Sequence, residues 1–147
     1  MTGGDKLQAY LSGIDQKLAT AGANPHVSVG FLEGAVNRKG VSIPFYMAMN
    51  EFGTAHIPPR PFFRNMIRAK GPTWGGDVAK LLKATSFDAY KTLATMGQVI
   101  QGQLRRSINE TNDPPNAAST IRRKGASKPL IDTRDAWKSV DYEVQSE

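Results

Sequence analysis

The chain contains no cysteine, which excludes disulfides, thiolate metal sites and thiol nucleophiles together. Its two histidines, His26 and His56, leave any metal centre to depend on carboxylates. No run reaches the ~18 apolar residues of a membrane-spanning helix, and the opening MTGGDKLQAY has neither the basic nor the apolar region of a secretory signal. These absences lead to the expectation of a soluble chain made in a cytoplasm.

Catalytic signatures are equally scarce. GAVNRKG superficially resembles a phosphate loop, but Lys39 precedes the second glycine and no hydroxyl follows as the pattern requires. There is no G-x-S-x-G elbow to present a serine. His56 lies beside prolines with no charged group near it in sequence to orient the ring, which suits a turn histidine. Asp132 and Asp135 stand three apart near an expected helix start, where a capping role accounts for both. The sequence therefore predicts neither an enzyme nor a cofactor or metal site.

What is present is a basic chain of one-domain size. It has 147 residues, 19 Lys and Arg against 13 Asp and Glu, a net charge of +6 and a sequence pI near 9.7. That balance favours anionic partners, nucleic acid above all. Its 14 glycines and 9 prolines predict many turns and at least one extended loop.

Hydrophobic spacing sets the elements. Leu7, Tyr10, Leu11, Ile14 and Leu18 recur at helical steps and predict an amphipathic helix ending near Gly22. Val27, Val29 and Phe31 alternate with Ser28 and Gly30, so residues 26–32 read as a strand. Asn37 to Gly40 reads as a loop or hairpin tip. Ser42 can cap, and Pro44 suits the first turn of, a short helix that Gly53 stops. Pro58, Pro59 and Pro61 hold an extended elbow, after which PFFRNMIRAK should form a helix ended by Gly71.

A further helical region is predicted from an Asp77 cap, broken or kinked near Thr85 and Ser86. Its second part, from about Ser86 to Asn109, would be about 35 Å long and serve as a spine. A basic arm without periodicity follows at about 111–131. Asp132 or Thr133 can cap a short helix through Trp137, and Val140, Tyr142 and Val144 alternate as a closing strand. The expected class is α+β: one domain over residues 1–147, with a small mainly antiparallel sheet packed on one long helix.

Three features call for partners. Phe62 and Phe63 are adjacent, so both can point inward only at a buried helix end. Arg60, Arg64 and Arg68 at four-residue spacing would line one helical face as a carboxylate- or phosphate-binding ridge. The arm carrying Arg122, Arg123, Lys124 and Lys128 is too polar to fold alone and could order against a protein or phosphate surface.

NEFGTAHIPPRPFFR (residues 50–64), followed by GQLRRSI, PPNAASTIRRKGASKPLIDT and the closing Trp137–Val140 segment WKSV, resembles the tail-completion and head-tail joining family of long-tailed bacteriophages. Minor tail protein Z of phage lambda is a distant cousin in that group. The family pattern reads N-E-[FY]-G-T-x-x-[IV]-P-x-R-P-F-[FL]-R, then a long helix ending in Ser-Ile, then P-L-x-D-T-G-x-L-x-x-S-[IV]. Asn50, Glu51, Phe52, Gly53, Thr54, Ile57, Pro58, Arg60, Pro61, Phe62, Phe63 and Arg64 match the first block. Pro129, Leu130, Asp132, Thr133, Ser139 and Val140 match the last, with departures at Arg134 and Ala136, where the family has Gly and Leu.

The resemblance implies a virion structural protein, assembled in the host cytoplasm, that forms a ring of six copies at the phage neck. The ring would touch the head connector and the tail terminator or tail tube, with double-stranded DNA passing through it. On that reading Phe52, His56, Arg60, Phe62, Phe63, Arg64 and Arg68 form a subunit or partner interface. Arg122, Arg123, Lys124 and Lys128 form a docking or DNA-proximal arm, and Gly53, Pro58, Pro59, Pro61, Asp132 and Thr133 shape turns. A tail terminator or head-side connector is the near alternative, and a DNA-binding module the remoter one.

Overall fold

The computed structural model describes residues 2–111, 113–116, 118–124 and 134–146. In chain order these form α1 (Gly3–Leu18) with a 3-10 turn at Ala19–Ala21, β1 (His26–Phe31), α2 (Ile43–Phe52), α3 (Phe62–Ala84), α4 (Ala89–Glu110), α5 (Ala118–Lys124), α6 (Asp135–Lys138) and β2 (Val140–Gln145). β1 and β2 pair as a two-stranded antiparallel sheet. The class is α+β, as the hydrophobic spacing predicts. Among the described residues no helix is long and apolar enough to cross a membrane.

The chain divides into two compact units that interleave in sequence. Unit 1 comprises Met1–Ser28, Thr73–Val99 and Tyr142–Glu147, and unit 2 comprises Val29–Pro72 and Ile100–Asp141. Both strands and the two long helices contribute to each.

In unit 1, α1 opens with a capping box. Asp5 N–H donates to Thr2 Oγ1 while Thr2 N–H donates to Asp5 Oδ2 at 2.8 Å, satisfying two of the amides a helix start leaves open. The bonds from the Thr2 backbone and hydroxyl hold the Asp5 carboxyl below its ordinary 3.8. Gly22, at φ +78°, ends the element as expected. Between α3 and α4 the chain reverses through Ser86 and Phe87, both left-handed, and Asp88 caps α4 by accepting from Lys91 N–H at 2.9 Å. The break predicted near Thr85 is present.

Gly97 is where α4 meets β2 within this unit. A Cβ there would lie 2.5 Å from the Tyr142 ring and 2.9 Å from Val27, so helix and strand touch only because the side chain is absent.

Unit 2 buries Ile43 and Met47 of α2, Phe62 and Met66 of α3, Leu104 and Ile108 of α4, and Val140 of β2. Phe31 meets Phe62 edge to face at 6.2 Å. Ser42 caps α2 through Phe45 N–H, and residues 36–42 close as a hairpin tip around Asn37 Oδ1, which accepts from Lys39 and Val41.

Three expectations are corrected. Gly71 does not end a helix and Asp77 does not cap one: α3 runs unbroken for 23 residues through Gly71, Pro72, Gly75 and Gly76. Burial of Phe62 and Met66 in its first turns, with Val78, Leu81 and Leu82 half-buried further on, works against the local cost of these residues, about 1 kcal/mol per glycine and about 3 for proline. There are consequently two long helices rather than one spine. Part of the arm read as lacking structure is α5, a stretch without glycine or proline lying between Pro115 and Gly125. Finally, the N-cap position of α6 is Arg134, at φ +60° with no side-chain cap bond; Asp132 and Thr133, expected to cap, lie outside the described residues.

Two glycines of α4 should respond oppositely to alanine. Gly97→Ala should destabilise by about 1–3 kcal/mol through overpacking, while Gly102→Ala, with no atom near its Cβ position, should stabilise by up to about 1 kcal/mol. Urea unfolding of both variants checks the pair.

Candidate functional site

The elbow between α2 and α3 is built from its glycine outward. Gly53 sits at φ +78°, and a Cβ there would come within 2.9–3.0 Å of Pro59 N and Ile57 O. Thr54 N–H donates to Ile57 O at 2.8 Å, and Thr54 Oγ1 accepts from the backbone of His56 and Ile57. The Gly-Thr pair thus folds the chain tightly before Pro58, Pro59 and Pro61 carry it to α3.

Glu51, only 5% exposed, reaches from the last turn of α2 to the first turn of α3. Its Oε2 accepts Phe63 N–H at 2.8 Å, and its Oε1 accepts Arg64 N–H at 3.1 Å and Arg64 Nε at 2.9 Å. Arg64 Nη2 donates to the Glu51 carbonyl at 2.8 Å. A carboxylate at a helix N-terminus satisfies orphan amides and favours the dipole, so Glu51 caps a helix that begins eleven residues later.

Arg60 is also buried, at 5% exposure. Its N–H donates to Asn50 O at 2.6 Å, Nη1 to Asn50 Oδ1 at 3.2 Å, Nε to Pro114 O at 2.8 Å and Nη2 to Pro115 O at 3.2 Å. Burial pulls its pKa below the ordinary guanidinium value, while Tyr46 acts the other way. The guanidinium fork thereby ties the end of α2, the elbow and the turn after α4 together, a geometry that a lysine point charge cannot copy.

The ridge expected from Arg60, Arg64 and Arg68 does not form. Arg60 precedes α3 and points inward; Arg64, its side chain half exposed, is held by Glu51 and lies 5.1 Å over the Phe52 ring; Arg68 is exposed. Phe62 is 1% exposed, so as placed it belongs to the core rather than to a partner contact, and Ser107 Oγ donates to its carbonyl at 2.6 Å. Phe63 is half-buried, near Gly30.

The elbow's outer surface is formed by Phe52, 68% exposed, with His56, Pro58 and Pro59 also exposed. Arg122 and Arg123 are exposed on α5, Lys124 ends that helix, and Lys128 lies outside the described residues.

Several contacts escape sequence reasoning. Asn50 and Glu51 carry no periodic signal, and their only clue is their place in the quoted block. Arg105 of α4 donates from Nε to Trp137 O and from Nη2 to Val140 O, and stacks 4.9 Å over the Trp137 ring. That clamp joins α4 to the stretch of the last block, with Trp137 as a cation–π partner. The elbow's carboxylate and buried guanidinium are committed to each other's backbone neighbourhood, and Phe52 is left exposed on the outer surface. No family model matches the chain, and neither a curated protein nor a solved structure matches it.

Removing either buried group should destabilise the chain. Arg60→Met leaves Asn50 and two prolyl carbonyls without donors and Glu51→Ala uncaps α3; each should cost about 2–3 kcal/mol. Arg64→Ala should cost under about 1 kcal/mol, because its side chain is half in water. Denaturant midpoints of the three variants test the ranking.

Proposed function

We propose that this protein is a virion structural protein of the tail-completion and head-tail joining kind, forming a ring at the phage neck with DNA passing through its axis. The observation that carries the reading is that most of the matched residues of the first block depend on one another in the structure. Asn50, Glu51, Arg60 and Arg64 bond one another or their backbone neighbours, Gly53 and Thr54 close the turn, and Phe62 anchors the core. A pattern whose members depend on one another is harder to reach by chance than a scatter of independent matches.

The one polar departure also supports it. Arg134 adopts the left-handed conformation at the position where the family pattern has glycine, the residue for which that conformation is least strained. Arg134→Gly should accordingly stabilise the chain by about 1 kcal/mol, measured as a shift in its unfolding midpoint.

In this role the elbow stiffens a binding edge before assembly, reducing the ordering cost of docking. Phe52 and His56 are the interface candidates on it, in place of Phe62 and Arg60, while Phe63, Arg64 and Arg68 flank them. Arg122 and Arg123, exposed on α5, would meet phosphates or an adjoining ring.

The test is to separate filled heads, free tails and complete particles on a density gradient and detect the chain in each. Finding it in finished tails and complete particles but not in unjoined heads is the expected result. Finding it in tail-less heads moves the assignment to a head-side connector, and absence from all particles overturns the reading. Phe52→Asp should reduce joined particles at least tenfold while leaving the melting temperature of the free protein within a few degrees.

A further inference from the structure

α1 contributes no buried residue, and Leu7 and Tyr10 stand 59% and 61% exposed beside Leu11 and Leu18 on one face. A helix of 16 residues is marginal in water by itself and normally gains its stability by burying its apolar face. At its N-terminus the Thr2–Asp5 box caps it, and just past its C-terminus Tyr90 N–H donates to Thr20 Oγ1, yet the stripe stays open. Its polar residues include Lys6 and Lys17 against Asp5 and Asp15, a balance that lacks the excess cations with which an interfacial helix holds an anionic lipid surface. The missing cover is therefore an apolar protein surface.

Unit 2 exposes a matching feature. Phe45 and Phe52, 63% and 68% exposed, are seven residues apart on α2 and so share a face. Charge selects how copies can meet. The segments of unit 2 hold fourteen of the 19 Lys and Arg, including all nine arginines, and seven of the 13 Asp and Glu, a balance of +7; unit 1 holds five and six, a balance of −1. Two copies meeting unit 2 to unit 2 bring like charges together, whereas unit 2 against unit 1 avoids that repulsion.

We propose that α1 of one copy docks through Leu7, Tyr10, Leu11 and Leu18 on the Phe45–Phe52 face of α2 in a second copy. This is helix-on-apolar-face recognition and a heterologous contact, which repeats head to tail and closes a ring when the rotation permits. It deepens the ring reading above and rests on it for closure alone.

The chain's lack of cysteine makes the test direct, because introduced thiols are the only ones present. Leu11→Cys and Phe52→Cys variants are prepared separately and oxidised with diamide, alone and mixed, at sub-millimolar concentration. The mixture should give covalent dimer at least fivefold above either variant alone, and a chain carrying both substitutions should give a ladder of higher oligomers. Dimer from Leu11→Cys alone at the level of the mixture would mean α1 pairs with itself, and dimer from Phe52→Cys alone would mean an isologous α2 contact; either overturns the proposal. So does a doubly substituted chain that closes on itself as a monomer, or a mixture that yields no dimer.

As a check independent of thiols, Leu11→Asp should keep the melting temperature and shift the sedimentation coefficient to that of a monomer. Particle fractionation reads the neck assignment separately: a chain found in finished tails without the cross-link loses only this contact, and one that cross-links yet is absent from particles loses only the neck role.

Discussion

The carboxylate of Glu51 is the constraint on which the elbow depends. It accepts the Phe63 and Arg64 amides at the open end of α3 and the Arg64 guanidinium beside them, so the last turn of α2 fixes where α3 begins. Phe62 is consequently delivered to the core, with Phe31 at its ring and Ser107 at its carbonyl. Arg60 completes the arrangement from the other side by holding the carbonyls after α4. A desolvated carboxylate is tolerable there because it has three donors, two of them amides at the positive end of a helix.

Such a lock separates two tasks that share one short stretch of sequence. Asn50, Glu51 and Arg60 of the block are buried and define the geometry, and the apolar Phe52 is exposed on the same frame. On the proposed neck role, an apolar edge on a rigid frame loses little freedom when it docks, which is how folding chemistry in unit 2 would serve assembly. The charge distribution points the same way: arginines lie in unit 2 alone, and unit 1 presents a nearly neutral helix with an open apolar stripe.

The elements were legible wherever periodicity or punctuation was strong. Leu7 to Leu18, the alternation at Val27 to Phe31, the Ser42 cap and Gly53 stop, and the closing strand at Val140 all follow from side-chain spacing. The continuous α3 was not, because Gly71, Pro72, Gly75 and Gly76 are local breakers and what overrides them is packing away from them, at Phe62 and Met66. At the site, the importance of the block was visible but its direction was not. Spacing places Arg60, Arg64 and Arg68 on one face only if all three are helical, and the helix starts after Arg60. Nor does any local rule pair Glu51 with amides twelve and thirteen residues away, or Arg60 with carbonyls more than fifty residues on.

First-turn amides of a helix ordinarily exchange fast with solvent because nothing inside the helix accepts from them. Hydrogen exchange at the Phe63 and Arg64 amides, read in the intact protein and in Glu51→Gln, therefore tests the lock most directly. The account predicts protection of both amides close to that of the α4 core in the intact chain, falling by at least tenfold at these two positions in the variant. Exchange of both amides at the rate of an exposed helix start in the intact protein would contradict it.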